Sequence, residues 1–310
     1  MVFQRNENKM KNNGRKGTDR FRTMWKALHM ELREHRSSFM VYFVLRLLVI
    51  IVMILQIFNR NYENVFLCIL TLLLLVVPSF VQITMKVELP TTLEIIILVF
   101  IFAAEILGEI REFYLVFPFW DSVLHTLNGF LAAAIGFSMV DLLNRSEKMV
   151  FKLSPLFTAI VAFCFSMTIG VIWEFFEFGM DWLFGYDMQK DTVIHTIRSV
   201  MLDPDGRNIP TEINNITSVV LNGKDMGLGG YLDIGLIDTM KDLMVNFVGA
   251  LIFSVIGYFY VKNRGKGSVA RRFIPRKKKE ERDFLKIART EIEHEKELEE
   301  KELEKKKIKE

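Results

Sequence analysis

Cysteine is nearly missing from this chain of 310 residues, with only Cys68 and Cys164, and both lie inside apolar runs. That excludes a disulfide framework and leaves each to be read as a small buried hydrophobe. Charge is missing from the middle of the chain, where Leu, Ile, Val, Phe and Met dominate; it is gathered at the two ends. A soluble globular surface cannot be built from such a middle. A cleavable secretory leader is not expected either, because residues 1–37 are too long and too polar for an n-region and no small-residue cleavage site follows the first apolar run. That run is expected to stay as an anchor. No nucleic-acid partner is expected.

What the middle does contain is apolar runs of about 20 residues, the length that spans a bilayer. The expected fold is all-α, a polytopic membrane helix bundle with about six transmembrane helices and both termini cytoplasmic. The expected spans are 39–58, 65–85, 91–110, 121–143, 155–184 and 238–261. Thr91 or Thr92 is expected to cap the third, and Ser154 followed by Pro155 to start the fifth. Arg46 sits inside the first span, where snorkelling toward the near face is favoured over a pair with Glu94. Gly129, Ala132, Ala133 and Gly136 in span four allow close helix approach.

Three regions follow. Residues 1–37 form a basic cytoplasmic arm, partly disordered or an interfacial helix. Residues 38–262 form the membrane domain, with an outer loop at 185–235. Residues 263–310 form a polybasic segment and a charged cytoplasmic helix with Glu-to-Lys pairs such as Glu297 and Lys301. The loop is acidic, and residues 192–200 suggest a short amphipathic helix within it. The basic stretch from Lys262 to Lys279 suits anionic lipid, and the charged helix offers a surface for a cytoplasmic protein partner. The N-terminal arm, Lys86, the 145–152 hinge and this stretch all fall on one side, which the positive-inside rule makes cytoplasmic.

The chemistry is expected in 172–181, IWEFFEFGMD. Glu174, Glu177 and Asp181 stand at i, i+3 and i+7, on one helical face among aromatic residues. Acids at membrane depth usually face the bundle interior and mark a site. Asp121, His125 and Asn128 share a face of span four; Asp238, Asp242 and Asn246 share one of span six; Glu105 and Glu109 end span three. Counting about 1.5 Å per residue brings these groups to one level near the outer membrane boundary.

Asp and Glu oxygens with one imidazole suit a divalent metal: Zn, Mg or Mn. The expected ligands are His125, Glu174, Glu177, Asp238 and Asp242, with Glu174, Glu177, Asp242 and His125 in catalysis. Asp121, Asp181 and Asn246 are expected behind them. A bound metal would serve hydrolysis or transfer on a lipid or lipid-linked envelope substrate. Two other functions are open, a transporter or ion-coupled carrier and a non-catalytic membrane scaffold whose charged tail recruits a cytoplasmic partner, and the cluster also fits a structural lock of interhelical hydrogen bonds without chemistry. Asp121 and Asp238 also fit as simple helix caps, and Trp173 as an interface anchor.

The runs WDSVLHTLNGFLAAAIGF, IWEFFEFGMDWLFG and DTMKDLMVNFVGALI together resemble the YjdF-type bacterial inner-membrane family, whose function is unassigned. The order Asp-x3-His, an acidic helix, then Asp-x3-Asp-x3-Asn is more distantly similar to the VanZ-like family linked to glycopeptide resistance. The resemblance covers roughly residues 93–260. It implies a multi-pass protein of the bacterial plasma membrane and supports the same site residues, without supplying a reaction.

Overall fold

The computed structural model describes residues 19–34, 36–144, 153–263 and 270–307. The 145–152 hinge and part of the 262–279 basic stretch lie outside the described residues. The chain is predominantly helical. Five helical stretches are long and apolar enough to cross a membrane: Arg36–Phe58, Tyr62–Met85, Trp120–Asn144, Pro155–Phe184 and Leu236–Lys262. The exposed faces of these helices carry Phe43, Leu47, Ile51, Phe66, Phe175 and Leu251, an arrangement that suits lipid contact.

The chain divides into two units. The first comprises 1–118, 137–155 and 256–310. It opens with α1 (residues 19–34) and α2 (Arg36–Phe58). Arg46 Nη1 donates to the Tyr42 hydroxyl one turn earlier, at 2.5 Å. Glu94 is not its partner; that carboxylate accepts from Gln82 Nε2 at 3.1 Å. The second span breaks into α3 (Tyr62–Leu74) and α4 (Val77–Met85), with proline in the first turn of α4. Pro78 has no N–H to continue the ladder of α3, so the chain restarts there.

α5 (Thr91–Phe102) begins at Pro90 without the threonine side-chain cap that was expected. It runs on directly as a π-helix, Ala103–Ile110, which carries Glu105 and Glu109. A short α6 (Phe113–Val116) follows. Tyr42, Leu45, Val49, Cys68, Leu75, Leu98 and Ile106 form the apolar core of this unit. Cys68 is buried as expected, whereas Cys164 of the other unit is exposed.

The charged C-terminal helix α10 (Phe284–Lys307) is not a free solvated rod. Ala288 packs with Ala27, Leu28 and Ile83, joined by Met24, Phe284 and Leu285. Lys26 bridges Glu291 and Glu295, each at 2.9 Å, and Lys296 pairs with Asp19. Ahead of it, β1 (Val87–Glu88) pairs antiparallel with Arg276 and Lys277, and the ammonium of Lys278 meets Glu31 in the interior.

The second unit comprises 119–136 and 156–255. It holds the first part of α7 (Trp120–Asn144), nearly all of α8 (Pro155–Phe184), the loop, and the first part of α9 (Leu236–Lys262). Small residues set the helix spacing. A Cβ on Gly249 would lie 1.9 Å from the Thr126 carbonyl oxygen, and one on Gly129 would lie 2.1 Å from that of Asn246. The Ser166 hydroxyl donates to the Gly129 carbonyl at 2.7 Å. Phe130 meets Phe253 edge to face, with centroids 5.1 Å apart.

The loop is built from short antiparallel ladders, and residues 192–200 are not a helix. Thr192–Ile194 pairs with Tyr231–Asp233, and Ile197–Ser199 pairs with Thr211–Ile213. β-branched Thr192, Val193, Ile194 and Ile197 favour this pairing once partner strands are supplied from farther along the loop. Val220–Leu221 turns back onto Lys224–Asp225 through Asn222 and Gly223, both at positive φ, the conformation of a two-residue hairpin turn.

Candidate metal centre

α8 turns the usual amphipathic pattern inside out. Trp173, Phe175, Phe176 and Phe178 are exposed, while Thr158, Ala162, Ser166, Gly170, Glu174 and Glu177 form the buried stripe. These buried positions recur at helical spacing, so one face of small and polar groups meets α7 and α9. Gly170 is part of how this works, because a Cβ there would come 2.7 Å from the Asn246 amide. Asn246 is fully buried, accepts from Asn128 Nδ2 at 3.3 Å and faces the Met167 sulfur at 3.6 Å. It therefore joins all three helices, one turn along α9 from Asp242.

Above this layer stands His125, 8% exposed, with Glu174 at 5%, Glu177 at 8% and Asp242 at 1%. Its Nε2 lies 3.5 Å from Asp121 Oδ1 and 3.9 Å from Asp242 Oδ2. Its Nδ1 lies 3.9 Å from Glu174 Oε1. Two trios result, Asp121–His125–Asp242 and His125–Glu174–Glu177, each with one donor atom per residue within 4.8 Å of the others. Carboxylate oxygens of Asp121 and Asp242 lie within 4.8 Å of each other. The Trp173 indole N–H donates to Glu177 Oε1 at 2.8 Å.

The donor set fits a divalent cation. Asp242 Oδ1 and Glu174 Oε2 are buried and have no hydrogen-bond partner. Buried carboxylate oxygens are nearly always satisfied, and metal coordination satisfies such oxygens without a protein donor. Oxygen donors with one imidazole suit Zn, Mg or Mn. The cluster is thus capable of coordinating a divalent metal ion.

The remaining expected residues are placed differently from one another. Asp121 stands in a trio with His125 and Asp242, its Oδ1 3.5 Å from the imidazole Nε2. Asp238 belongs to neither trio; its Oδ2 accepts from the Lys190 backbone N–H at 2.9 Å. Asp181 also holds the loop, accepting from the N–H groups of Met188 at 2.6 Å and Gln189 at 2.9 Å. Glu105 and Glu109 lie in the other unit and in neither trio. Neither Asp121 nor Asp238 is a first residue before its helix, so the cap reading does not describe them. Trp173, read from sequence as an interface anchor, is a direct partner of Glu177; the signal available was their i, i+4 spacing.

Comparison with curated proteins and with solved structures finds no match. The family model described as Predicted membrane protein (DUF2238) matches residues 40–263, well over half of the chain, and the chain belongs to that family.

Proposed function

We propose that this protein is a six-span enzyme of the bacterial plasma membrane that carries out metal-assisted hydrolysis or transfer on a lipid or lipid-linked envelope substrate. One observation carries the reading: two carboxylates with unpartnered oxygens surround a buried histidine in a chain of lipid-suited helices. Leaving such groups bare in an interior costs several kcal/mol apiece, of order 1–3 for a neutral group and more for a charged one. That cost is retained where it serves chemistry. The narrower likeness to the YjdF-type and VanZ-like families belongs to the same reading.

The sixth span in this reading is Thr91–Phe102 with its continuation Ala103–Ile110, together twenty residues. An even number of spans puts both termini on one side. The basic arm and the exposed Arg271, Arg272, Arg276, Lys277 and Lys279 favour the cytoplasm for that side, beside anionic lipid. Asp121 and His125 lie in the first turns of α7 and Asp242 in the second turn of α9; Glu174 is about 15 Å from the C-terminal end of α8. In α8 and α9 these are the ends joined by the 185–235 loop, and in α7 it is the end that follows the helix Phe113–Val116. With cytoplasmic termini, that is the outer leaflet, where lipid-linked envelope precursors are exposed.

A bound divalent cation would polarise a phosphoryl or acyl oxygen and supply hydroxide at neutral pH. The chain's own groups hold it and its substrate. His125, Glu174, Glu177 and Asp242, with Asp121, offer the ligands. Asp121 is the most open of them, which leaves an approach for a headgroup. Trp173 orients Glu177, and Asn246 fixes the helix spacing beneath.

The test is metal analysis of purified full-length protein, wild type beside Glu177→Gln, with hydrolysis of a lipid-linked phosphoester followed in mixed micelles. Bound metal in the wild type, reduced together with turnover in a folded Glu177→Gln protein, is expected. A metal-free wild type that cannot be loaded, or metal content and turnover indifferent to the substitution, overturns the proposal.

A further inference from the structure

The two trios share only His125, and they use different atoms of its ring. Nε2 faces Asp121 and Asp242 while Nδ1 faces Glu174. The two ring nitrogens point away from each other, so one cation cannot take both. In an ordinary mononuclear site, the second nitrogen donates its N–H to a carboxylate at hydrogen-bond distance, about 2.7–3.2 Å. Neither side shows that here. The separations are 3.5, 3.9 and 3.9 Å. Two donors sharing a cation at about 2.0–2.2 Å, at angles of about 110–125°, stand about 3.3–3.9 Å apart. Both faces of the ring therefore keep the spacing of ligands rather than of a hydrogen-bonded pair.

Building on the metal-site reading above, we propose that the centre holds two divalent cations bridged by the His125 ring. One is held by Nε2 with Asp121 and Asp242, the other by Nδ1 with Glu174 and Glu177.

Two independent features support it. Each trio contains its own buried oxygen without a partner, Asp242 Oδ1 in the first and Glu174 Oε2 in the second, on residues at most 5% exposed. A single cation on either side leaves the other oxygen bare. Charge points the same way. Asp121, Asp242, Glu174 and Glu177 carry four negative charges when ionised, with no cationic side chain within ion-pair distance of them among the described residues except the histidine itself. Two dications offset the four carboxylates; with the bridging ring counted as an imidazolate one net negative charge remains, against two with a single cation on a neutral ring. The second cation displaces the remaining ring proton, which leaves to solvent, so the bridge is an imidazolate. Paired metals of this kind suit displacement at phosphorus, where one holds the attacking oxygen and the other the leaving oxygen.

The test is a metal count per chain on purified full-length protein loaded with excess Zn²⁺ and then desalted, repeated with Cu²⁺ for electron paramagnetic resonance. Two metals per chain are expected in the wild type. One is expected in Asp121→Asn/Asp242→Asn and one in Glu174→Gln/Glu177→Gln. The Cu²⁺ signal of the wild type should be diminished by coupling across the ring, and should return to that of an isolated ion in either double variant. One metal per chain in the wild type, or an uncoupled wild-type Cu²⁺ signal at full loading, overturns the bridged pair and leaves the single-metal reading standing. No metal at all removes both. The wild-type count decides the matter even where a variant fails to fold.

Discussion

The Trp173 indole N–H donates to a Glu177 carboxylate oxygen at 2.8 Å, from one turn earlier on the same helix. The indole is exposed and the carboxylate is buried, so the bond runs along α8 at the edge of its buried stripe. It leaves Glu177 with a preferred orientation before any cation arrives. Trp173→Phe keeps an aromatic ring at an exposed position and removes the donor alone. Metal affinity should fall about 10- to 100-fold, the usual cost of losing a partner behind a ligand. The melting temperature of the metal-free protein should hardly change. Calorimetric titration with Zn²⁺ checks it, and equal affinity in both proteins would deny Trp173 this role.

The distance between α7 and α9 is set at Gly249, where a Cβ would fall 1.9 Å from the Thr126 carbonyl oxygen. A backbone atom cannot step aside as a flexible side chain can. Gly249→Ala should therefore separate the helices that carry His125 and Asp242. Overpacking of this kind costs about 1–3 kcal/mol, and metal binding should weaken with it. Gly179→Ala is the matched control, since nothing lies within 4 Å of its added Cβ. Removing a mid-helix glycine there should be neutral or stabilising by about 0.5–1 kcal/mol. Thermal unfolding in detergent with and without metal separates the two.

Lys278 and Glu31 form an ion pair that is almost wholly out of solvent, with side-chain exposures of 3% and 2%. Breaking one half of such a pair strands the other charge. Lys278→Met should destabilise the first unit by about 3–5 kcal/mol, whereas Glu31→Met/Lys278→Met should recover most of that loss. If the double variant melts no higher than the single one, the stranded charge is not the cause.

The docking of α10 should depend on pH. Burial opposes ionisation of Asp283, but the Lys86 ammonium at 2.5 Å and the Lys286 N–H outweigh it and hold its carboxyl below the ordinary value. The hydrogen bond from Lys26 holds Glu295 below its ordinary value in the same way. A depressed native value means that the pairing stabilises the fold above the unfolded carboxylate range, about 4, and is lost as pH falls through the native value beneath it. Hydrogen exchange over residues 284–302, corrected for its intrinsic pH dependence, should stay slow from neutral pH to about 4.5 and rise below that. Constant protection down to about pH 2.5 would show that the apolar contacts of Ala288 hold the helix unaided.

Much of the centre was legible before any coordinates. Glu174, Glu177, His125 and Asp242 announce themselves because acids and histidine are rare in apolar helices, and period alone puts each on a definable face. Asn246 and Gly129 follow from the same faces. Other features were not legible. Asp121 and Asp238 each start an acidic ladder one turn before the site, and spacing cannot say which turns toward His125 and which accepts from the Lys190 N–H. Asp181 shares a helical face with Glu177, yet the loop following α8 folds back and takes its carboxylate. Residues 192–200 read as an amphipathic helix because nothing local reveals that Tyr231–Asp233 will supply a strand.

By itself, then, the order of residues determined that this is a multi-span membrane protein with acids carried inward, since hydropathy and helical period are properties of short stretches and need no partner. Tertiary structure alone decided how the two nitrogens of one imidazole are shared out, which acids serve the loop, and where the charged tail lies. Each of those depends on groups brought together from distant parts of the chain, and a carboxylate's sequence neighbours do not say which of several donors or cations will reach it first.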